Sequence, residues 1–448
     1  MGLAVAGGGG RARASGLTPV VRGLLLLAAA ALVFHAAAWI EAAVIIARGL
    51  KPPPLQSAVV LALSAMLLRV TDVTSRRWRI RATSATLILF AIAMVAMPLD
   101  HQFEGNGFMG DGYDYSQDRD KFERNIPMAG AHQELHFKSH LGDLTMALID
   151  RAAGRTETSP ATAYATLSRI GGVLFLGELA LVLVLFRASR RACRFVALAM
   201  AAPLALTFFA YYEVGYLSVG IAVFPLILYA VHRRGDGMAV DAAGGLQGLH
   251  AAFHGFGLVG IAGGTLAALA ARRRGLSLAF RFAAFGLAFY LGWVVIYIVG
   301  MGMSIVSDPY ASHIAFRKLF QLYVFDKRLV HPLLSWNGIG EVGMASLGIG
   351  VPLLVLGIAK TRASLERQAA LLFALPALLF LIVWWPSAGV EHDMDLLLGA
   401  FGAISAGAWL AARTPRAAFQ GWILLAATHL LFWAVVANRT MDRVWLTR

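Results

Sequence analysis

Leu99-Asp100-His101-Gln102-Phe103-Glu104 breaks an apolar run and opens a long polar interval that continues to Pro160. Inside it lie Gly110-Asp111-Gly112-Tyr113-Asp114-Tyr115, then Asp118, Asp120 and Glu123, then a stretch from His132 to Ala153 with helical periodicity. On both sides of the interval the sequence is greasy. Only 14% of the 448 residues are charged and 58% are hydrophobic, whereas a soluble protein carries roughly a quarter charged residues. The mean hydropathy of +0.68 points the same way. The interval is therefore read as a loop hung from a membrane bundle.

A span needs roughly 20 apolar residues. The pattern predicts an all-α polytopic membrane protein with about 11 full transmembrane helices, a re-entrant or broken helix pair, and a long outer loop carrying surface helices. Between the apolar runs stand short basic clusters: Arg76/Arg77/Arg79/Arg81, Arg187/Arg190/Arg191/Arg194, His232/Arg233/Arg234, Lys360/Arg362/Arg367 and Arg413/Arg416. Cytoplasmic loops concentrate such charge, so the +14 net charge reflects topology and not a nucleic-acid partner. A bacterial-type inner membrane is expected, with the N-terminus cytoplasmic and the C-terminus outside. Arg11 and Arg13 before the first apolar run suit a signal peptide, but that run is long and is read as a retained span.

One segment resists this scheme. A single crossing by 238–271 would put Arg272-Arg273-Arg274 outside, so a re-entrant hairpin bending near His254-Gly255-Phe256-Gly257 is preferred. Three regions follow: 1–82 with the cytoplasmic N-terminus and two additional spans, a core at 83–275 containing the loop 99–160 and the pair 238–271, and C-terminal spans over 276–448 with outer segments 304–341 and 386–395. The lone Cys193 excludes an intramolecular disulfide.

On this topology most acidic residues face outward, where no ATP is available, and a group transfer there needs a donor activated in the membrane. Asp100, at the mouth of a span, is placed to act as a base. Glu104, Asp111 and Asp114 are the other candidates, in a loop whose glycines let backbone approach a ligand; a solvated acidic loop without chemistry is the plain alternative. His132, His136 and His140 share one helical stripe. They are read as interfacial, with His136 and His140 near substrate, more readily than as a zinc site. Glu213, in the tight turn beside Tyr212, suits a sugar hydroxyl or a divalent cation, magnesium or manganese. Arg317, Lys318, Lys327, Arg328 and His331, interleaved with aromatics, suit a lipid phosphate or plain interfacial anchoring. His392, Asp393 and Asp395 enter an apolar run, where charge is costly without a partner.

This order of features resembles the GT-C class of membrane glycosyltransferases: a span ending in an acid at Asp100, a long outer loop with a surface helix, Thr158-Ser159-Pro160 leading into the next span, and Tyr212-Glu213 in a tight turn. Gly389 to Asp395 resembles a Gly-x-x-x-Asp-x-Asp junction of that class. An adjacent Asp-Asp or Asp-Glu pair after the first outer span is missing, and Asp100 and Glu104 are spaced instead. The resemblance implies a polyprenyl-phosphate sugar as donor, inverting transfer to an acceptor on the outer face, and membrane lipids as partners. A transporter or flippase for a lipid-linked sugar, and a non-catalytic assembly subunit, are the rival readings.

Overall fold

The computed structural model describes residues 55–73, 75–96, 140–157, 159–203, 205, 220–233, 236–255, 257–271, 274–300, 350–361, 364–383 and 402–429. Among them every regular element is helical. The helices are α1 Leu55–Val73, α2 Arg76–Ala96, α3 His140–Ala152, α4 Ser159–Leu185, α5 Arg190–Met200, α6 Val223–His232, α7 Gly237–Phe253, α8 Gly257–Leu269, α9 Gly275–Gly300, α10 Val351–Lys360, α11 Leu365–Val383 and α12 Gly402–Ala411. A further helix, α13, covers 415–429.

The core forms around α6. Its sequence Val-Phe-Pro-Leu-Ile-Leu-Tyr-Ala is apolar on every face, and a helix of that kind must be enclosed. Val223 through Leu228 and Ala230 are fully buried, walled by α7, α8 and α12 with α4 and α11 at the edges. Around this axis α1 packs on α2 and α5, α3 on α4 and α7, and α10 on α12. In α2 and α9, by contrast, Ile88, Leu89, Ile92, Val95, Leu276, Phe280, Phe289, Leu291 and Ile296 lie exposed. Two helices so apolar on the outside mark a membrane protein.

Among the described residues four helices are long and apolar enough to cross a bilayer: Leu55–Asp72, Arg76–Ala96, Ala165–Leu185 and Gly275–Ile296. The expected count of about 11 spans is not supported. An apolar run does not fix a helix length. α5 stops at Met200, three residues before Pro203, which cannot continue a helix. α10 starts only after Gly350, whose φ of 80° is a left-handed turn. The result is a set of helices of 10 or 11 residues (α5, α6, α10, α12), each about 15 Å long and half a hydrocarbon core. The first expected span and the polar interval up to residue 139 lie outside the described residues. Within 238–271 the helix breaks between Phe253 and Gly257, and the arms α7 and α8 pack on each other and on α9.

Close approach of α7 to α9 rests on glycine. A Cβ built at Gly244 would stand 2.7 Å from the Phe282 carbonyl oxygen, and one at Gly248 would stand 2.5 Å from that of Gly286. Small residues four apart let backbones touch, which is how helices associate where lipid removes the hydrophobic drive. Gly245, one residue along, has open space around it. The expected outcome is that Gly248→Leu lowers stability by about 1–3 kcal/mol, while Gly245→Leu leaves it unchanged. The buried thiol of Cys193 gives the readout, through its labelling by a thiol-reactive dye as the detergent-solubilised protein is heated.

Candidate functional site

The basic clusters converge on one end of the bundle. α4 ends in a turn where Arg187 and Ala188 take φ of 51° and 47°, a left-handed pair that costs about 1–2 kcal/mol per residue. The turn is held from outside: Arg76 Nε donates to the Arg187 carbonyl at 3.1 Å and Arg79 Nε to that of Ala188 at 3.4 Å. Ser189 then caps α5 by accepting from the Ala192 N–H at 3.2 Å.

From α5 two arginines reach three other helices. Arg191 binds Glu366 of α11 through both guanidinium nitrogens, at 3.0 and 2.8 Å, and donates from Nε to the Trp409 carbonyl at 3.1 Å. Arg194 donates to Asp72 of α1 at 2.9 and 2.5 Å and to the Ala412 and Arg413 carbonyls beyond α12. Glu366 also accepts from His232 Nε2 at 3.1 Å, at the end of α6. Thus the ends of α1, α2, α4, α6, α11 and α12 share one basic face.

A second polar layer lies deep in the bundle. Glu178, 3% exposed in the middle of α4, accepts from the Gly220 N–H at 2.6 Å and from the Ala222 N–H at 2.8 Å. Its two oxygens therefore hold the turn that leads into α6, at the helix end whose dipole favours negative charge. Ser405 of α12 donates to the carbonyl between them, Ile221 O, at 2.6 Å. Gly220, at φ 114°, takes a conformation that suits glycine, and a Cβ there would face Gln247 Oε1 at 3.2 Å and His250 Nδ1 at 3.6 Å. Gln247 Nε2 donates to the Gly257 carbonyl at 2.9 Å, spanning the α7–α8 break, and approaches His250 Nδ1 at 3.1 Å. Gln247, His250 and His254 are all buried. Nine residues separate Glu178 from the Arg187 turn, so this layer sits about 14 Å inside the basic end, near half a hydrocarbon thickness.

Irregular backbone at that depth must have its polar groups satisfied by protein. The turn at 220–222 meets that demand with side chains from α4 and α12. Both Glu178 oxygens are engaged in holding α6, which makes it an anchor first. Sequence reasoning passed over Glu178, Gln247, His250 and Ser405, although an acid inside an apolar 27-residue helix is itself a signal.

The residues predicted from sequence to act on substrate lie outside the described residues: Asp100, Glu104, Asp111, Asp114, Tyr212, Glu213, His136, Arg317, Lys318, Lys327, Arg328, His331, His392, Asp393 and Asp395. His140 starts α3. Among the described residues no group of three His, Cys, Asp or Glu side chains could hold a metal ion, and Glu213 is not one of them.

No family model matches the sequence, and no curated protein matches it. Among solved structures, the chain is similar to the crystal structure of the Archaeoglobus fulgidus oligosaccharyltransferase in complex with zinc and sulfate. The TM-score is 0.43 at 15% identity, over 79% of this chain and 53% of that one. The chain spans about half the length of that structure.

Burial alone would raise the Glu366 carboxyl, but hydrogen bonds from His232 and Arg191 overcome it and hold the group at about 2. Because its folded value lies below the ordinary carboxylate range, Glu366 contributes stability above about pH 4.5 that is lost as pH falls toward 2. Melting followed by tryptophan fluorescence between pH 7 and 3 is expected to show Glu366→Gln less stable by about 2 kcal/mol at pH 7, with the gap to wild type closing in acid. Glu178→Gln leaves one of the two N–H groups facing an amide in place of an acceptor. It is expected to lower stability by about 1–3 kcal/mol at pH 7, read by the same melt.

Proposed function

We propose that the chain transfers a sugar from a polyprenyl-phosphate donor to an acceptor hydroxyl at the membrane end opposite the arginines, as a GT-C-type glycosyltransferase. One observation carries this reading. α2 begins at the basic end, pinned through Arg76 and Arg79, and its 21 residues rise about 31 Å, so the chain leaves Ala96 at the far end, four residues before Asp100. It returns in α3, which packs on α4. α2 packs on α4 as well. The acid-rich interval 97–139 thus begins at the end away from the basic face and joins two helices that both pack on α4.

In the proposed reaction a loop carboxylate, with Asp100 the first choice and Glu104, Asp111 and Asp114 behind it, takes the proton of the acceptor hydroxyl. The acceptor oxygen forms its bond to the anomeric carbon from the side opposite the phosphate. The carbon–oxygen bond to phosphate breaks, its electron pair leaves with the polyprenyl phosphate, and configuration inverts. Arg317/Lys318 or Lys327/Arg328 offset the leaving charge. Tyr212, Glu213, His136, His140, His331, His392, Asp393 and Asp395 orient the sugar or acceptor. A divalent cation at Glu213 is compatible with this scheme, and no step requires it. Because the donor arrives activated, the protein supplies mainly position and one base. The pair α7–α8 is taken as re-entrant, and the basic face as cytoplasmic.

A second reading is favoured by the deep polar layer. Broken helices with termini at mid-depth are also how transporters build substrate sites, so a flippase for a lipid-linked sugar is the rival. Single Asp100→Asn, Glu104→Gln, Asp111→Asn, Asp114→Asn and Glu213→Gln variants in proteoliposomes separate the two, with radiolabelled donor supplied inside or outside. One of the loop variants is expected to lose transfer by about 100-fold or more at normal protein level. Transfer intact in all five, with donor movement across the bilayer abolished in Glu178→Gln, would establish the rival instead.

A further inference from the structure

In the four crossing helices, all but two of the Asp, Glu, Lys and Arg residues lie within about two turns of the arginine-rich end. The exceptions are Glu178 and Arg169, both on α4. Glu178 is fully engaged by the start of α6. Arg169 differs: its Nε is buried and, among the described residues, has no hydrogen-bond partner. The two cannot serve each other. Nine residues apart on an α-helix places them on opposite sides and about 14 Å apart along the axis.

Arg169 sits four residues inside the span Ala165–Leu185, about 27 Å from the Arg187 turn. It is therefore near the far end, on the helix against which α2 and α3 both pack. It is half-buried, between the buried stripe of Ala163, Leu167, Ser168 and Phe175 and exposed Val173. A guanidinium placed within a span costs about 2.5–3.5 kcal/mol at mid-depth and less near an end, and a costly cation with no anion paired to it among the described residues calls for an anion from elsewhere. What reaches a half-lipid-facing position at that depth is the phosphate of a lipid. The planar fork of arginine matches phosphate oxygens in pairs, which a point charge does not.

We propose that Arg169 binds the phosphate of the lipid-linked donor, at the boundary between bundle and lipid. This rests on the donor class proposed above, and it adds a residue on the membrane-spanning scaffold to a site otherwise drawn from the loops. The anchored phosphate fixes the depth at which the sugar emerges from the bilayer.

The test uses the full chain in phosphatidylcholine nanodiscs with a photoactivatable polyprenyl phosphate as probe. Unlabelled polyprenyl phosphate, polyprenol of the same length and phosphatidylglycerol compete with it. Wild type is expected to favour the phosphate over the polyprenol by tenfold or more. Arg169→Gln is expected to lose most of that preference and Arg169→Lys to keep part of it, with unchanged melting showing that the fold survives. A preference retained in Arg169→Gln overturns the assignment, as does a wild type that does not discriminate. Equal competition by phosphatidylglycerol overturns the donor and leaves a bulk-lipid contact. If Arg169→Gln does not fold, labelling is mapped on wild type, and cross-links confined to segments away from 165–173 overturn the proposal. If wild type binds the phosphate through Arg169 yet transfers no sugar, the transfer reading fails while this one stands.

Discussion

The bundle depends on two arginines three residues apart on one face of α5. Arg191 and Arg194 do not simply pair with acids. Each also reaches backbone carbonyls at the end of α12, where helix geometry leaves the last oxygens without partners and the dipole is negative. Arg191 lies over the Trp409 ring at 4.5 Å as well, a contact worth about 0.5–2 kcal/mol. The same two side chains collect Glu366 and Asp72, so four helix ends are fixed by charges that would otherwise be stranded. Such clusters contribute little where water screens them, but Arg194 is 7% exposed, and removing one partner would leave its charge buried. The constraint is therefore one of specificity: only one arrangement of ends satisfies every group.

Fixing that end sets the depth of everything else. With the Arg187 turn held, Glu178 falls at the level of Gly220 and Ala222, and α6 can start in the middle of the bundle because the N–H groups of the turn leading into it are met there by Glu178. A helix of 10 residues is too short to be stable alone. It persists because it is enclosed and because both its ends are tied, by Glu178 at one and by His232 to Glu366 at the other. Polar contacts at two depths thus hold an apolar rod whose own surface carries no directional information.

How much of this could be read from the residues differs by feature. The convergence of Arg76, Arg191, Arg194 and Arg413 on one face was legible, because loop charge follows a rule that does not need tertiary structure. The break near His254–Gly257 was legible too, since Arg272-Arg273-Arg274 allowed no simple crossing. Helix lengths were not, because Pro203 and Gly350 end or start a helix inside runs that hydropathy averages over. Glu178 escaped because one acid in 27 residues barely changes a hydropathy window, and its partners are backbone N–H groups that any sequence has. The acids and cations proposed to handle substrate fall on segments outside the described residues, so their arrangement rests on sequence alone.

The two membrane ends differ in kind. At the basic end Arg194 is matched by Asp72, Arg191 by Glu366 and the more exposed Arg281 by Asp241, although Arg367 Nε there is buried with no hydrogen-bond partner among the described residues. At the other end α4 carries a guanidinium nitrogen with no match among the described residues, and the chain runs on into carboxylates. A molecule that presents an anion toward lipid and hydroxyls toward water would complement both features at once, the phosphate meeting the cation and a hydroxyl meeting an acid. Bulk phospholipid has only the first, and a free sugar only the second. A lipid-linked sugar has the two on one frame, with the bond to be broken lying between them, so binding both groups would hold that bond at the level where a loop carboxylate can reach the acceptor.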